Sequence, residues 1–441
     1  MNTLTSISNR IMQRYLPDPF LFVVILTLVV FGLGVLLTSS TPVDMVVYWG
    51  NGFWDLLAFA MQMVLILVTG YVLASSPLFK SLLRNLAGLA KSPSAAIILV
   101  TIVSLLASWI NWGFGLVIGA LFAKELARQV AKVDYRLLIA SAYSGFIVWH
   151  AGLAGSIPLT IATPGHFSED LIGIIPTSDT IFATFNLFIV IVIFITLPIL
   201  NRLMMSNKDA VYVDQSLLKD DDDEALKQQA ATEDVTPATR LENSVIVSLV
   251  IGVLGLAFIL YYFIENGFNL NLNIVNFIFL FLGILFHKTP RNFLNSVSNA
   301  VKNAGGIIIQ FPFYAGIMGM MVASGLAGLM SEWFVSISTE FTFPLFAFIS
   351  AGIVNFFVPS GGGQWAVQAP IMLEAGNNLG VSAAKTAMAV AWGDAWTNMI
   401  QPFWALPALA IAGLKAKDIM GFCVIVLFVA GFIIGAGLLL F

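Results

Sequence analysis

The chain has 441 residues, of which 59% are hydrophobic and only 10% are charged, and its formal net charge is −4. Its mean hydropathy of +0.93 excludes an ordinary soluble globular protein and leaves no room for a soluble catalytic domain. Apolar runs long enough to cross about 30 Å of hydrocarbon recur along the sequence. The composition therefore predicts an all-α polytopic membrane protein.

Apolar segments that are predicted to cross the membrane as single helices lie at 20–38, 53–76, 136–163, 180–201, 244–264, 270–287, 304–330, 385–413 and 419–441. Two further apolar stretches, 94–130 and 343–378, are interrupted by polar residues and glycines at 111–115 and 355–363. Each stretch could be one broken crossing, or a hairpin that enters and leaves on the same side.

The distribution of Lys and Arg decides between a broken crossing and a hairpin. If both stretches are re-entrant hairpins, every Lys and Arg except Lys385 lies on the cytoplasmic side. Single crossings would instead place the basic cluster from Lys124 to Arg136 outside. We therefore predict about nine transmembrane helices and two re-entrant hairpins, with the N-terminus in the cytoplasm and the C-terminus in the periplasm.

The two halves of the chain resemble each other at an offset of 248 or 249 residues. The recurring positions are Gly70, Ala74, Ser75, Thr41-Pro42, Gln62, Tyr143 and Pro158, which return as Gly319, Ala323, Ser324, Thr289-Pro290, Gln310, Trp392 and Pro407. Polar and proline positions match as well as small ones, so coincidence between apolar sequences is a poor explanation. An odd number of crossings separates equivalent points, which predicts two inverted-topology repeats, the plan of many secondary transporters.

A polar segment divides the chain into three predicted parts. They are a first transmembrane repeat at 1–205, an acidic cytoplasmic linker at 206–243, and an extra helix plus the second, inverted repeat at 244–441. The linker carries the run from Asp220 to Glu224, and such runs stay solvated because like charges repel and seldom pack. With Cys423 as the only cysteine, no disulfide or thiolate metal site is expected.

The tips of the two hairpins are the region where we expect an anion to bind. At the second tip, Pro359 and Ser360 lead through three glycines into a helix whose first backbone N–H groups lack an intrahelical partner. The glycines could instead serve a tight turn. The candidate substrate-binding residues are Ser360, Gly361, Gly362, Gly363, Gln364, Trp112, Gly113, Trp396 and Asn398.

Asp394 lies near the middle of a predicted crossing, where a carboxylate is costly. No Lys or Arg lies deep enough in a predicted span to pair with it, so we expect a proton or Na⁺ site there rather than a hydrogen-bonded structural acid. The candidates for cation coupling are Asp394, Asn111, Asn355 and Thr397, with His150, Gln310 and Gln401 as further candidates. The asparagines could instead cap exposed backbone, and His150 could be a satisfied core histidine.

The lack of Lys and Arg deep in the predicted spans also indicates which kind of substrate is expected. A dianion would normally meet a fixed cation, whereas helix N-termini, hydroxyls and amides can hold a small monoanion. Moving an anion into a negative interior costs about 2.3 kcal/mol per charge per 100 mV, and cotransport of a cation removes that cost. The coupling ion would be Na⁺ or H⁺, and no other cofactor is expected.

Motifs spread along the whole sequence point to one family. They are Leu16-Pro17-Asp18-Pro19, Gly52-Phe53-Trp54, Ile110-Asn111-Trp112-Gly113-Phe114-Gly115, Gln310-Phe311-Pro312-Phe313-Tyr314-Ala315-Gly316, Val358-Pro359-Ser360-Gly361-Gly362-Gly363 and Gln401-Pro402-Phe403-Trp404-Ala405-Leu406-Pro407. They resemble the AtoE-type short-chain fatty acid transporters of bacteria. The resemblance implies uptake of butyrate, acetoacetate and similar monocarboxylates across the inner membrane, and a relation to the ion transporter superfamily with its hairpins, broken helices and Na⁺ or H⁺ coupling.

The partners we expect are the short-chain carboxylate, the lipid bilayer and a second copy of the chain in a homodimer, with no nucleic acid. Two other functions stay open at this point. A membrane-embedded hydrolase would use Ser360 as nucleophile and His150 as base, although no third, orienting acid is evident. A small-anion channel is the other, although channels seldom need an inverted repeat with an intramembrane carboxylate.

Overall fold

A computed structural model describes residues 19–130, 132–206, 210–213, 236–302, 304–355, 358, 360–401 and 404–441. This described part is helical throughout and contains no strand, which confirms the predicted all-α fold. The acidic run of the predicted linker and the motif residues Leu16, Pro17, Asp18, Pro359, Pro402 and Phe403 lie outside the described residues.

The helices of the first half are α1 (Pro19–Leu37), α2 (Pro42–Gly52), α3 (Leu57–Ala74), α4 (Pro77–Ala87), α5 (Pro93–Ile110), α6 (Trp112–Gln129), α7 (Tyr135–Ser144), α8 (Ser156–Ile161), α9 (Glu169–Ile172) and α10 (Thr184–Leu203), with 3-10 turns at Gly145–Ala151 and Thr177–Asp179. Proline opens α2, α4 and α5. At that position its missing N–H costs no helical hydrogen bond and its fixed φ suits the helix.

The helices of the second half are α11 (Pro237–Glu242), α12 (Val245–Asn266), α13 (Leu272–His287), α14 (Pro290–Val301), α15 (Gly305–Ala323), α16 (Leu326–Ile337), α17 (Phe343–Val354), α18 (Gly361–Asn378), α19 (Ala383–Thr397), α20 (Ala405–Ala412) and α21 (Ala416–Leu440). The two outermost long helices, α1 and α12, expose most of their apolar side chains, as expected of helices that face lipid.

Eight helical segments of the described chain are long and apolar enough to cross a membrane. Apart from α5, the first arm of hairpin one, each coincides with a predicted crossing. The crossing predicted at 270–287 is the shorter helix α13, and the one predicted at 385–413 is split into α19 and α20. The crossing predicted at 136–163 is likewise broken, because a 3-10 turn and a short gap separate α7 from α8.

Hairpin one, formed by α5 and α6, reverses direction at Asn111. A β-carbon added at Gly115 would lie 2.4 Å from Cα of Ser108, and one at Gly119 would lie 2.9 Å from Oγ of Ser104. From Gly115 to Gly119 the chain of α6 advances, while its contact on α5 moves back from Ser108 to Ser104. The two helices therefore run antiparallel. The stretch is therefore a hairpin and not one broken crossing.

Hairpin two, formed by α17 and α18, also folds back on itself. The side-chain nitrogen of Gln364 donates to the carbonyl oxygen of Ala351 at 2.8 Å. One turn further along, the side-chain nitrogen of Gln368 donates to Oγ of Ser350 at 3.4 Å. These bonds connect the two arms and satisfy polar groups that lie inside the protein.

The duplication in the sequence reappears in the helix boundaries. The equivalent boundaries are the N-caps Thr41 and Thr289, the last helical residues Ala74 and Ala323, and the first helical residues Trp112 and Gly361. The same local signals therefore start and stop equivalent helices. The opposite orientation of the two copies in a membrane stays a prediction.

Candidate functional site

The two broken crossings meet in the interior of the protein. The indole nitrogen of Trp149 donates to Oδ1 of Asn398 at 2.9 Å, and the hydroxyl of Tyr143 donates to the carbonyl oxygen of Asn398 at 2.6 Å. Asn398 directly follows the last residue of α19, and Trp149 lies in the 3-10 turn after α7. The predicted site residue Asn398 thus joins the breaks of the two halves.

Beside this junction, His150 lies against Asp394. Nδ1 of the ring is 3.0 Å from Oδ2 of the carboxyl group, and both side chains are completely buried. The two atoms are within ion-pair distance, although the ring is not oriented for an aligned hydrogen bond. The sequence named both residues as candidates but did not predict that they pair.

The hydrogen bonding of His150 fixes where its proton lies. The backbone N–H of Ile157 donates to Nε2 at 3.0 Å. Because an amide N–H can only donate, Nε2 must hold a lone pair, so the neutral ring carries its hydrogen on Nδ1. That hydrogen faces the side of the ring where Asp394 lies.

Two other predicted coupling residues surround the main chain of Asp394. The side-chain nitrogen of Asn355 donates to the carbonyl oxygen of Asp394 at 3.0 Å and to Oγ1 of Thr397 at 2.9 Å. Thr397 in turn donates to the carbonyl oxygen of Gly352 at 2.9 Å. The structure therefore brings Asp394, Asn355 and Thr397 together, and ties α17 to α19 through them.

Asn111 acts as a helix cap at the tip of hairpin one. Its Oδ1 accepts a hydrogen bond from the backbone N–H of Phe114 at 2.9 Å, which is the N-cap interaction of α6. Gly113, at the same tip, packs so closely on α3 that an added β-carbon would lie 3.1 Å from the carbonyl oxygen of Ile66. In this conformation Asn111 therefore caps exposed backbone, the alternative to cation binding considered from the sequence.

The N-terminus of α18 closes over the His150–Asp394 pair. A β-carbon on Gly361 would lie 2.5 Å from Cε1 of His150 and 2.9 Å from Oδ2 of Asp394. The next two glycines are equally confined, because β-carbons there would lie 2.7 Å from Cζ of Phe59 and 2.5 Å from Cδ2 of Tyr314. Glycine is therefore required here for close packing, whereas sequence reasoning proposed an anion site at these glycines with a tight turn as the alternative.

A small cavity lies at the junction. Its lining residues are Met63, Trp112, Phe146, Trp149, Ser156, Ile307, Ser360, Gly361, Gly362 and Trp404. Both hairpin tips contribute, through Trp112 and Ser360, and none of the lining residues is charged. Sequence reasoning missed the lining roles of Met63, Phe146 and Ile307, because an apolar residue in a membrane helix gives no local signal that it faces a cavity.

The other predicted site residues lie around this centre. The indole nitrogen of Trp396 donates to the carbonyl oxygen of Leu427 at 2.7 Å, so this side chain faces α21 and is not among the lining residues. Gln310 accepts a hydrogen bond from the hydroxyl of Tyr314 at 3.1 Å. Gln401 is buried beyond the end of α19, in the gap before α20.

The geometry disfavours a hydrolase. His150 and Asp394 have the spacing of the base and acid in a nucleophilic triad, but the nucleophile would have to meet Nε2. Nε2 is instead bonded to the backbone N–H of Ile157, and Oγ of Ser360 accepts from the backbone N–H of Gly363 at 3.4 Å as the N-cap of α18. The third acid exists, but Nε2 of the base already accepts a backbone hydrogen bond.

Comparison with known proteins agrees with these observations. Residues 1–441 match the family model described as short chain fatty acid transporter. A protein of Escherichia coli K12, provisionally named a short-chain fatty acid transporter, is 49% identical over 434 residues and covers 98% of both chains. A Haemophilus influenzae protein with the same provisional name is 46% identical over 433 residues, with 96% of both chains covered.

A solved structure shares the fold. The Alcanivorax borkumensis YdaH transporter, whose crystal structure is described as having an unusual topology, superposes with a TM-score of 0.59 at 16% identity, over 95% of this chain and 98% of that chain. At this identity the likeness concerns the fold alone. The match to the family model and the relatives with nearly half of their residues identical show more: the chain belongs to the short-chain fatty acid transporter family, whose members are multi-pass membrane proteins.

Proposed function

We propose that the protein is a secondary active transporter that takes up butyrate, acetoacetate and similar short-chain monocarboxylates across the bacterial inner membrane, by symport with H⁺ or Na⁺. The observation that carries the proposal is the buried His150–Asp394 contact, which lies under the N-terminus of α18 beside a cavity that both hairpin tips line. An anion site and a cation site are then neighbours, an arrangement that allows direct coupling between them.

The N-terminus of α18 is suited to a carboxylate. The first backbone bond of the helix runs from the N–H of Gln364 to the carbonyl oxygen of Ser360 at 2.7 Å, so the amides of Gly361 and Gly362 precede it. Such amides and the helix dipole favour an anion. The cavity has room for about one water molecule in this conformation, so it must widen to admit a substrate, and its aromatic wall then suits a short alkyl tail. Without a lining Lys or Arg, a monoanion is favoured over a dianion.

Transport assays with the purified full chain in proteoliposomes test this function. Labelled butyrate should enter at a saturable initial rate above that of protein-free liposomes, which report passive permeation of the protonated acid. Imposing Na⁺ and pH gradients separately identifies the coupling ion. A saturable rate that responds to neither gradient would favour a channel or uniporter, and the lack of any rate above the protein-free control would refute the proposed function.

A further inference from the structure

We propose that Asp394 and the substrate carboxylate compete for one place, the N-terminus of α18, so that substrate binds only when Asp394 carries a proton. The coupling ion is then H⁺, with one proton taken up per carboxylate. This inference rests on the transport function proposed above and specifies how its two sites communicate.

The position of Asp394 provides the first support. Gly361 is the first residue of α18, and the place of its missing β-carbon is 2.9 Å from Oδ2 of Asp394. The carboxyl group is completely buried, and within the described residues neither of its oxygens has an aligned hydrogen-bond partner. A negative charge at this place is stabilised by the first turn of the helix, which is also what a substrate carboxylate would use.

Two carboxylates cannot share this helix end without repulsion in a dry interior. Protonation of Asp394 removes one of the two charges and leaves the positive end of the helix dipole to the substrate. Release of the proton restores the charge and expels the anion. Loading of the two sites is therefore linked, without any contact between substrate and His150.

The proton resides on Asp394 and not on His150. A second proton on the imidazole ring would have to sit on Nε2, where it would face the N–H of Ile157, donor against donor. His150 instead keeps the Nδ1 side of its ring against the carboxyl group, with Nδ1 3.0 Å from Oδ2. We therefore describe His150 as a positioning residue and Asp394 as the proton carrier.

The same geometry disfavours Na⁺. A hard cation needs several oxygen ligands, and the ring of His150 lies 3.0 Å from one of the two carboxyl oxygens, Oδ2. The carbonyl oxygen of Asp394 and Oγ1 of Thr397 already accept hydrogen bonds from Asn355.

Other titratable groups on the helices packed around Asp394 lie away from it. Besides His150, these groups are Tyr143, Glu374, Lys385, Lys417, Asp418 and Cys423. Among the described residues, none of these six makes an ion pair or a side-chain hydrogen bond with Asp394. The pH response of substrate binding is therefore assigned to Asp394.

Butyrate binding to the purified full chain, measured by calorimetry at a series of pH values without Na⁺, tests the inference. For the wild type, the affinity should fall by about tenfold per pH unit on the alkaline side, because one proton is linked to binding. Repeating the titration in buffers of different ionisation enthalpy should show uptake of one proton per butyrate. The Asp394→Asn variant mimics the protonated acid. It should bind butyrate with an affinity that does not depend on pH, and without proton uptake.

Two control variants accompany Asp394→Asn. Asp418→Asn changes an acid at the start of α21 that accepts from the backbone N–H of Lys415 at 2.9 Å, and it should keep the wild-type slope. His150→Asn should shift the midpoint of the pH profile and keep its slope, since the proton stays on Asp394.

Three results would overturn the inference: a wild-type affinity without pH dependence, a slope retained in Asp394→Asn, or binding that requires Na⁺ at fixed pH. The wild-type measurements need no substitution, so they test the inference even if a variant fails to fold. Absence of butyrate binding and uptake by the wild type would refute the proposed function itself, whereas Na⁺-driven uptake would refute only proton coupling.

Discussion

Trp149 and Asn398 are hydrogen-bonded to each other at 2.9 Å and are 249 residues apart, which is the offset at which the two halves of the chain repeat. Equivalent points of two copies related by a pseudo-two-fold axis meet only close to that axis. The pair therefore supports a symmetry axis that passes through the junction of the broken crossings, next to His150 and Asp394. Transporters built from repeats bind their substrates at such an interface.

The Trp149–Asn398 bond should contribute to stability. In Trp149→Phe the aromatic stacking on Phe146 can persist, but Oδ1 of the buried Asn398 loses its donor. We expect a loss of about 1–3 kcal/mol in the free energy of unfolding, measured by denaturant titration in mixed micelles. The control is Trp333→Phe, whose side chain is 57% exposed, and an equal loss there would contradict the assignment.

The close packing at Gly361 predicts a functional effect of one methyl group. In Gly361→Ala the new β-carbon meets the ring of His150, so the start of α18 must move. Overpacking of this kind costs about 1–3 kcal/mol, and a cost of that size in the binding free energy weakens butyrate affinity about 5- to 150-fold. Uptake kinetics in proteoliposomes should show it as a raised KM.

Gly305→Ala is the matched control for that substitution, because nothing lies within 4 Å of its added β-carbon. It also places alanine at the first position of a long helix, α15, and should leave uptake unchanged. Equal kinetics for the two variants would show that the fit of α18 on His150 does not matter.

Ser360→Ala separates substrate binding from nucleophilic catalysis. Loss of the N-cap should cost about 0.5–2 kcal/mol of stability and raise the KM for butyrate severalfold, without abolishing uptake. A serine-reactive phosphonate should fail to label the wild-type protein, since Nε2 of His150 bonds to Ile157 and cannot activate the hydroxyl. Labelling that disappears in Ser360→Ala would instead revive the hydrolase.

The predicted membrane orientation can be tested by cysteine labelling. In a Cys423→Ala background, a membrane-impermeant maleimide applied to intact spheroplasts should label Lys385→Cys and leave Lys417→Cys unlabelled. Permeabilised membranes should label both. The reverse pattern would contradict the predicted orientation, in which the distribution of basic residues places Lys385 outside and Lys417 in the cytoplasm.

From the sequence alone one can predict where the long apolar helices lie, where both hairpins turn, the internal resemblance of the two halves and most of the candidate residues. These features depend on local quantities: apolar length, the positions of Lys and Arg, and the caps and glycines that start or stop a helix. The offset between Thr41 and Thr289, or between Trp112 and Gly361, is readable because equivalent helices use the same local signals.

Which candidates contact each other follows from the packing of the helices. His150 and Asp394 come from different halves, and nothing local to either residue says that the other one faces it. The packing of α19 and α18 around the 3-10 turn brings them together, turns Trp396 towards α21, and leaves no space for a side chain on Gly361. Such pairings depend on how helices cross, which hydropathy and spacing along one helix do not encode.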